Sequence, residues 1–301
     1  MMRPNVVVLI AAALAPPAHG IRIVQSNDDG WAELYVRTLN SALRAAGHAV
    51  VLAAPAEDMS ATGSRDEPPA PRAGPCEYAS CPPRAGPVGS NATRPDLTWV
   101  NSFPATSIRY GIDSVGPRLW RGAAPELAVT GPNVGTNLWL SVLISGTVGA
   151  ACFAAHDAGI PAIAFSGASA QRAAWDVSPV PNRSIVYAQL ATALTNKIVA
   201  SGKPYLPEDV FLNVNFPKVE GACTNATDFK WILSRINPGT FSRPDVEWCD
   251  STRLPTELSV AGRDGCYISV SIGDASDKTT VNDGRQKVVL DKLRDMLVCL
   301  P

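Results

Sequence analysis

A chain of 301 residues that is 46% hydrophobic can bury the core of one large α/β domain, or of a domain with an appendage. Its formal net charge of −1 leaves no electrostatic case for a nucleic-acid polymer or an anionic membrane surface as partner. Only 18% of the residues are charged, against 23 glycines and 26 prolines, a balance that points to long ordered loops rather than lean helices.

Residues 1–20 have the form of a secretory signal. Arg3 opens it, Val6 to Leu14 is apolar but too short to span a bilayer, and Pro16 and Pro17 break the run before Ala18-His19-Gly20, which resembles a small-residue cleavage site. The competing reading is a buried strand or helix. The mature chain expected is 21–301, secreted and without a membrane span. Two further features support that compartment. Sequons stand at Asn91, Asn182 and Asn225, each in a loop-like context. Seven cysteines read as three disulfides plus one buried free thiol, Cys152 in a small-residue helical run. Cys76–Cys81 is the closest pair, inside one Pro-rich loop. Cys223–Cys249 and Cys266–Cys299 are the other two pairs expected, although sequence does not fix connectivity. A zinc site is disfavoured, because CxxC spacing is lacking and only His48 and His156 remain after processing.

The first mature element is the apolar run Ile21-Arg22-Ile23-Val24, a buried strand. Ser26-Asn27-Asp28-Asp29-Gly30 follows it. Two carboxylates at a strand end are costly without a partner, and the glycine lets the backbone turn. They suit a hard divalent cation with oxygen ligands beside a phosphate; an Asp capping the next helix is an equal alternative on these residues alone. Ala32 to Ala46 carries Val36, Leu39, Leu43 and Ala46 at helical spacing, and Gly47 ends that helix. Ala49 to Ala54 is the next strand. Glu67 to Pro95 holds eight prolines and reads as a surface insertion. Pro125 to Thr130 is a strand, Thr147 to Ala158 a closely packed helix, and Ile160 to Phe165 a further strand. A helix over 185–200 and a strand over Val210 to Phe216 complete a core of about 21–217. The expected fold is α/β: a Rossmann-like, doubly wound, mostly parallel sheet, with ligands beyond the carboxyl ends of the strands. Residues 218–301 read as a β-rich appendage, notably Tyr267 to Ile272, closed by an amphipathic helix over roughly Asp283 to Val298.

Loops at the same edge as Asp28 and Asp29 offer small polar residues. They are Asp58-Met59-Ser60-Ala61-Thr62-Gly63-Ser64, then Gly131-Pro132-Asn133-Val134-Gly135-Thr136-Asn137, and Ser145-Gly146-Thr147. Ser60 and Asn133 could add neutral oxygen ligands to the two carboxylates. Ser145, Gly146 and Thr147 offer hydroxyls and N–H groups to an anion, or plain capping to a helix.

Taken in order, these segments resemble the SurE family of metal-dependent phosphatases and nucleotidases. Ala54-Pro55, Gly159-Ile160-Pro161-Ala162-Ile163-Ala164 and Leu212-Asn213-Val214-Asn215-Phe216-Pro217 extend the match. The resemblance implies a divalent metal, magnesium or manganese before calcium, held by Asp28, Asp29, Ser60 and Asn133. Asp28 and Asn137 would be the catalytic residues, Asp28 either as attacking nucleophile or only as metal ligand, with Asn137, Ser145, Gly146 and Thr147 contacting the phosphate. It further implies hydrolysis of small-molecule phosphomonoesters such as nucleoside monophosphates, the acid-phosphatase character of secreted fungal-type relatives, and homodimers that exchange C-terminal elements. Two departures stand out. Pro132 replaces an aliphatic residue before Asn133, and Ser102-Phe103-Pro104-Ala105-Thr106-Ser107 lacks the Asp of the family's Gly-Thr-Pro-Ala-Asp-Cys. No G-x-S-x-G elbow supports a serine hydrolase, and no Arg-His motif a histidine phosphatase. A secreted binding protein that kept the scaffold and lost turnover is the competing class.

Overall fold

The computed structural model describes residues 20–301, so the signal-like segment, apart from Gly20, lies outside the described residues. Among the described residues nine strands form one sheet: β1 (Arg22–Ser26), β2 (Ala49–Pro55), β3 (Val88–Ser90), β4 (Leu97–Val100), β5 (Leu127–Val134), β6 (Ala162–Gly167), β7 (Val210–Phe216), β8 (Lys230–Ser234) and β9 (Tyr267–Asp274). Their order is β3-β4-β2-β1-β5-β6-β7-β9-β8. Only β3 with β4 and β7 with β9 pair antiparallel; every other pairing is parallel. The helices are α1 (Leu34–Ala45), α2 (Pro104–Tyr110), α3 (Gly116–Leu119), α4 (Ser141–Ile144), α5 (Gly146–Cys152), α6 (Asn182–Ala200), α7 (Glu257–Ala261) and α8 (Asp283–Leu293).

Alternation along the strands sorts the core into two layers. Ile23, Val129, Ile163, Phe165, Leu212 and Val214 face a layer shared with α1, α6 and α8. Val24, Ala128, Ala162 and Ala164 face the other, where α5 contributes Val148, Ala150 and Ala151. Each buried large side chain in these layers contributes about 1.5–3 kcal/mol. The second layer is thin because it is built from alanine and glycine. A Cβ on Gly149 would sit 2.0 Å from the Gly63 carbonyl oxygen, so α5 lies directly on the loop after β2.

The expected elements are present, with shifted ends. The helix expected over Thr147–Ala158 is α5 followed by a π-helical turn over Phe153–Asp157. The β-rich C-terminal region extends the main sheet: β9 pairs with β7, and β8 with β9. That placement corrects two disulfides. Cys76–Cys81 forms, but the others are Cys223–Cys266 and Cys249–Cys299, not Cys223–Cys249 and Cys266–Cys299. Because β8 and β9 run parallel, the segments entering them lie side by side, and these carry Cys223 and Cys266. The C-terminal tail then follows β8, with Val298 N–H donating to the Trp231 carbonyl at 2.9 Å, which delivers Cys299 to Cys249. Cys152 is free and buried.

One sequon also departs from its expected loop setting. Asn182 is the first residue of α6, its amide donating to the Thr224 carbonyl at 2.8 Å, and the Ser184 hydroxyl is turned inward to Thr38. Asn91 lies in a turn whose N–H groups it accepts, and Asn225 is exposed at a short 3₁₀ turn.

Candidate functional site

The carboxyl ends of β1, β2, β5, β6 and β7 share one edge of the sheet, and the expected site residues gather there. Asn27, Asp28 and Asp29 leave β1 fully buried, and Gly30 turns with φ +107. A side chain on Gly30 would meet Glu77 Oε2 at 2.7 Å, so glycine is needed there for space as well as for conformation.

The two carboxylates point to different neighbours. Asp28 Oδ1 accepts the Thr147 hydroxyl at 2.5 Å, while a Cβ on Gly146 would lie 3.1 Å from Asp28 Oδ2. Asp29 Oδ2 accepts the Val134 N–H at 2.9 Å. Burial raises the pKa of Asp28 above the usual carboxylate range, opposed by the Thr147 hydrogen bonds. Burial and the neighbouring charges of Asp28 and Glu33 raise that of Asp29 further. Glu33, whose side chain caps α1, is pushed up to about 8 by burial. Among the described residues no cationic side chain pairs with the Asp28 or Asp29 carboxylate; Arg172 donates to the Asp29 carbonyl oxygen at 2.6 Å instead.

Asn133, the residue before the Val134 that bonds Asp29, stands at an irregularity in β5. The β5–β6 register shifts between Thr130 and Asn133, and Gly131 there has φ +89, with room for no side chain because the Phe165 carbonyl oxygen would be 2.2 Å away. The Asn133 amide nitrogen donates to the Gly135 carbonyl at 2.8 Å, and among the described residues no donor reaches its Oδ1. Pro132 therefore leaves Asn133 with an available acceptor.

Ser60 lies in the loop that α5 packs against. Met59 N–H donates to the Asp28 carbonyl at 2.7 Å, which ties this loop to the carboxylates. The exposed Ser60 hydroxyl donates to Asp58 at 2.6 Å, so its proton is used locally and its oxygen lone pairs stay free. Asn137 is 6% exposed and tightly held. Its amide donates to Ser166 at 2.8 Å, its backbone N–H donates to Asn215 at 2.8 Å, and its carbonyl accepts from Asn213 and Asn215. Ser145 caps α5 by accepting the Val148 N–H at 3.1 Å. Thr147 gives its hydroxyl proton to Asp28, whereas Ser145 only accepts, so the turn keeps the Ser145 O–H and backbone N–H groups to offer a phosphate.

Among the described residues, no group of three or more His, Cys, Asp or Glu is arranged to hold a metal. The oxygens that the loops of this edge offer, two carboxylates, a hydroxyl and an amide oxygen, are all hard ligands suited to magnesium, manganese or calcium rather than zinc. Two buried, adjacent carboxylates of raised pKa, together with an Asn133 oxygen without a donor, fit a divalent cation that would relieve their mutual repulsion.

Arg172 carries no signal in the sequence, being a lone arginine in an irregular loop. The fold makes it a clasp across three segments: its guanidinium donates to the Asp29 carbonyl and to Glu77, both at 2.6 Å, and to Asp58 at 3.1 Å. Glu77 sits in the loop closed by Cys76–Cys81, so the disulfide insertion forms a wall of the site. Where the Asp of the compared motif is missing, Thr106 bonds Asp66 at 2.7 Å, and Asp66 also pairs with Arg109. A cleft of about 550 Å³ opens beside Asn137, lined by Thr136, Leu138, Phe216, Arg263 and Tyr267 among others. A second cavity, about 810 Å³, lies at the amino ends of the strands near Arg22, Ile160 and Val210, away from the carboxylates.

Comparison with known proteins gives this edge a lineage. The family model described as survival protein SurE matches residues 23–236, from β1 through β8. An acid phosphatase of Yarrowia lipolytica is 30% identical over 282 residues, covering 83% of this chain and 78% of that protein. A 5'-nucleotidase SurE of Gloeobacter violaceus is 36% identical over 199 residues, covering 65% of this chain and 64% of that protein. The crystal structure of the SurE protein from Aquifex aeolicus superposes with a TM-score of 0.55 at 21% identity, covering 90% of this chain and 98% of that one, a likeness of fold. With the match running through the loops that carry Asp28, Asp29, Ser60, Asn133 and Asn137, the chain belongs to the SurE family.

Proposed function

We propose that this SurE-family phosphomonoester hydrolase is a secreted, metal-dependent acid phosphatase or nucleotidase, acting on small phosphate monoesters such as nucleoside monophosphates. One observation carries the metal requirement: two adjacent carboxylates, each nearly inaccessible, have no cationic partner on their oxygens among the described residues. Buried charge of this kind is costly unless neutralised. Asp28, Asp29, Ser60 and Asn133 would hold a divalent cation, magnesium or manganese before calcium. When bound, it supplies charge neutralisation at the phosphoryl oxygens and lowers the pKa of a water.

The chain's own residues do the rest. Thr147 fixes the Asp28 carboxylate by donating to Oδ1, which leaves Oδ2 turned toward Gly146. Asn137 donates through its amide to Ser166, so its Oδ1 is free to accept a proton-bearing water and line it up with phosphorus. Phosphoryl transfer needs little covalent help, so positioning and charge stabilisation dominate. The cleft past Thr136 and Leu138 has room for the alcohol portion of the ester. A binding protein without turnover predicts no phosphate release from any of these esters.

Exhaustive chelation is expected to lower phosphate release from p-nitrophenyl phosphate and from nucleoside monophosphates at least about 100-fold, with recovery on adding manganese. Turnover that survives complete metal removal rules out the metal reading. Location and assembly enter the proposal too: secretion with cleavage before Ile21, glycans at Asn91, Asn182 and Asn225, and a homodimer through C-terminal elements. Mass spectrometry of protein recovered from culture medium, native and then deglycosylated, reads all of these at once. A start at Met1, unmodified sequons or a single-copy mass would each remove the corresponding part.

A further inference from the structure

Glu257 is a carboxylate that the mechanism above does not use. It opens α7, far along the chain from the catalytic loops, yet its side chain is fully buried. Among the described residues no cation pairs with it, and burial pushes its pKa up to about 7. Its hydrogen-bond partners are donors: the Trp139 N–H reaches Oε1 at 2.6 Å and the Asn213 amide reaches Oε2 at 2.9 Å. A buried, unpaired acid is expensive and needs a reason to be there.

The reason lies in what its partners hold. The same Asn213 amide also donates to the Asn137 carbonyl at 2.8 Å, and Asn215 both donates to that carbonyl and accepts the Asn137 N–H. Two residues on, Trp139 adopts φ +49, a left-handed conformation that a residue with a side chain takes only when its surroundings hold it. Glu257 holds it by its backbone N–H. The loop carrying Asn137 is thus suspended from β7 on one side and from α7 on the other.

We propose that Glu257 is a positioning residue for the hydrolysis, setting the Asn137 loop through Trp139 and Asn213. The proposal rests on the phosphatase reading. Wild-type turnover tests that reading, and the ratio of variant to wild type tests this one. Glu257→Gln keeps the volume but turns an NH₂ group toward a donor, so the loop loses one of its two anchors. With p-nitrophenyl phosphate and saturating manganese, the expected result is a kcat reduced about 10- to 100-fold, because small misplacements of a catalytic group cost on that order. KM and the Kd for manganese should stay within about threefold, since Asp28 and Asp29 are untouched, and circular dichroism should show a native fold. Asn213→Ala, which cuts the link between Glu257 and Asn137, should give the same signature. The proposal is overturned by kcat within twofold of wild type in either folded variant. It is equally overturned if manganese affinity falls in step with kcat, or if neither variant folds, because the role is then structural.

Discussion

Asp28→Asn is expected to lower kcat/KM on p-nitrophenyl phosphate about 1,000-fold, equivalent to ~4 kcal/mol of transition-state stabilisation. The substitution keeps the shape and the oxygen that accepts from Thr147 but removes the charge that a cation needs. Its effect on stability should run the other way. The folded-state pKa of Asp28 is raised, so the protonated form favours folding, and ionisation above that pKa works against it. At neutral pH the metal-free variant, with no charge to bury, should melt no lower than the metal-free wild type. Manganese should raise the melting temperature of wild type and do little for the variant, since a ligand stabilises only the state that binds it. Wild-type turnover in the variant, or a large drop in its metal-free melting temperature, contradicts the assignment of Asp28 as a ligand.

Gly146→Ala should be almost as damaging, with no change of charge or polarity. Alanine at a helix position is ordinarily better than glycine by about 1 kcal/mol. Here the added Cβ would lie 2.8 Å from Asp28 Cβ and 2.8 Å from Pro104 Cγ. Both neighbours are fixed: Asp28 is bonded to Thr147, and Pro104 is buried at the start of α2. Overpacking of that kind costs about 1–3 kcal/mol, which exceeds the helical gain. Relief has to come from moving the Asp28 side chain or α5, and either shift should cost turnover on the order of 100-fold. Gly74→Ala is the control: nothing lies within 4 Å of its added Cβ, and its activity and stability should match wild type. If the two alanine variants behave alike in kinetics and in thermal melts, close packing against Asp28 has no part in the site.

The site residues read from the sequence stand on loops at one edge of the sheet, and their engagements differ from what residue type alone implies. Ser145 and Thr147 carry hydroxyls suited to a phosphate. In the structure the Ser145 oxygen also caps α5 and the Thr147 proton goes to Asp28, so both help to frame the site. Asn213 and Asn215 belong to the segment read as the strand Val210 to Phe216, with no role given to their amides. Their amides turn out to support the Asn137 loop from beneath. Arg172 and Glu257 went unseen because neither lies in a patterned motif. Their meaning comes from partners 95 to 143 residues away along the chain for Arg172, and 44 to 118 for Glu257.

The sequence by itself determined the alternation of strands and helices, the strand-end placement of Asp28 and Asp29, the small-residue character of α5 and the Cys76–Cys81 link. Each of these depends on local pattern: apolar periodicity, a glycine after a strand, or two cysteines a few residues apart. Only the tertiary structure decided that Cys223 joins Cys266 and Cys249 joins Cys299, because the parallel course of β8 beside β9 sets which segments meet. It also decided that Thr147 holds Asp28, that Arg172 clasps the Asp29 carbonyl, and that Glu257 reaches the loop of Asn137. Periodicity along a chain tells which side of an element is buried. The partner met there is chosen by strand order and crossover, and those are properties of the assembled sheet.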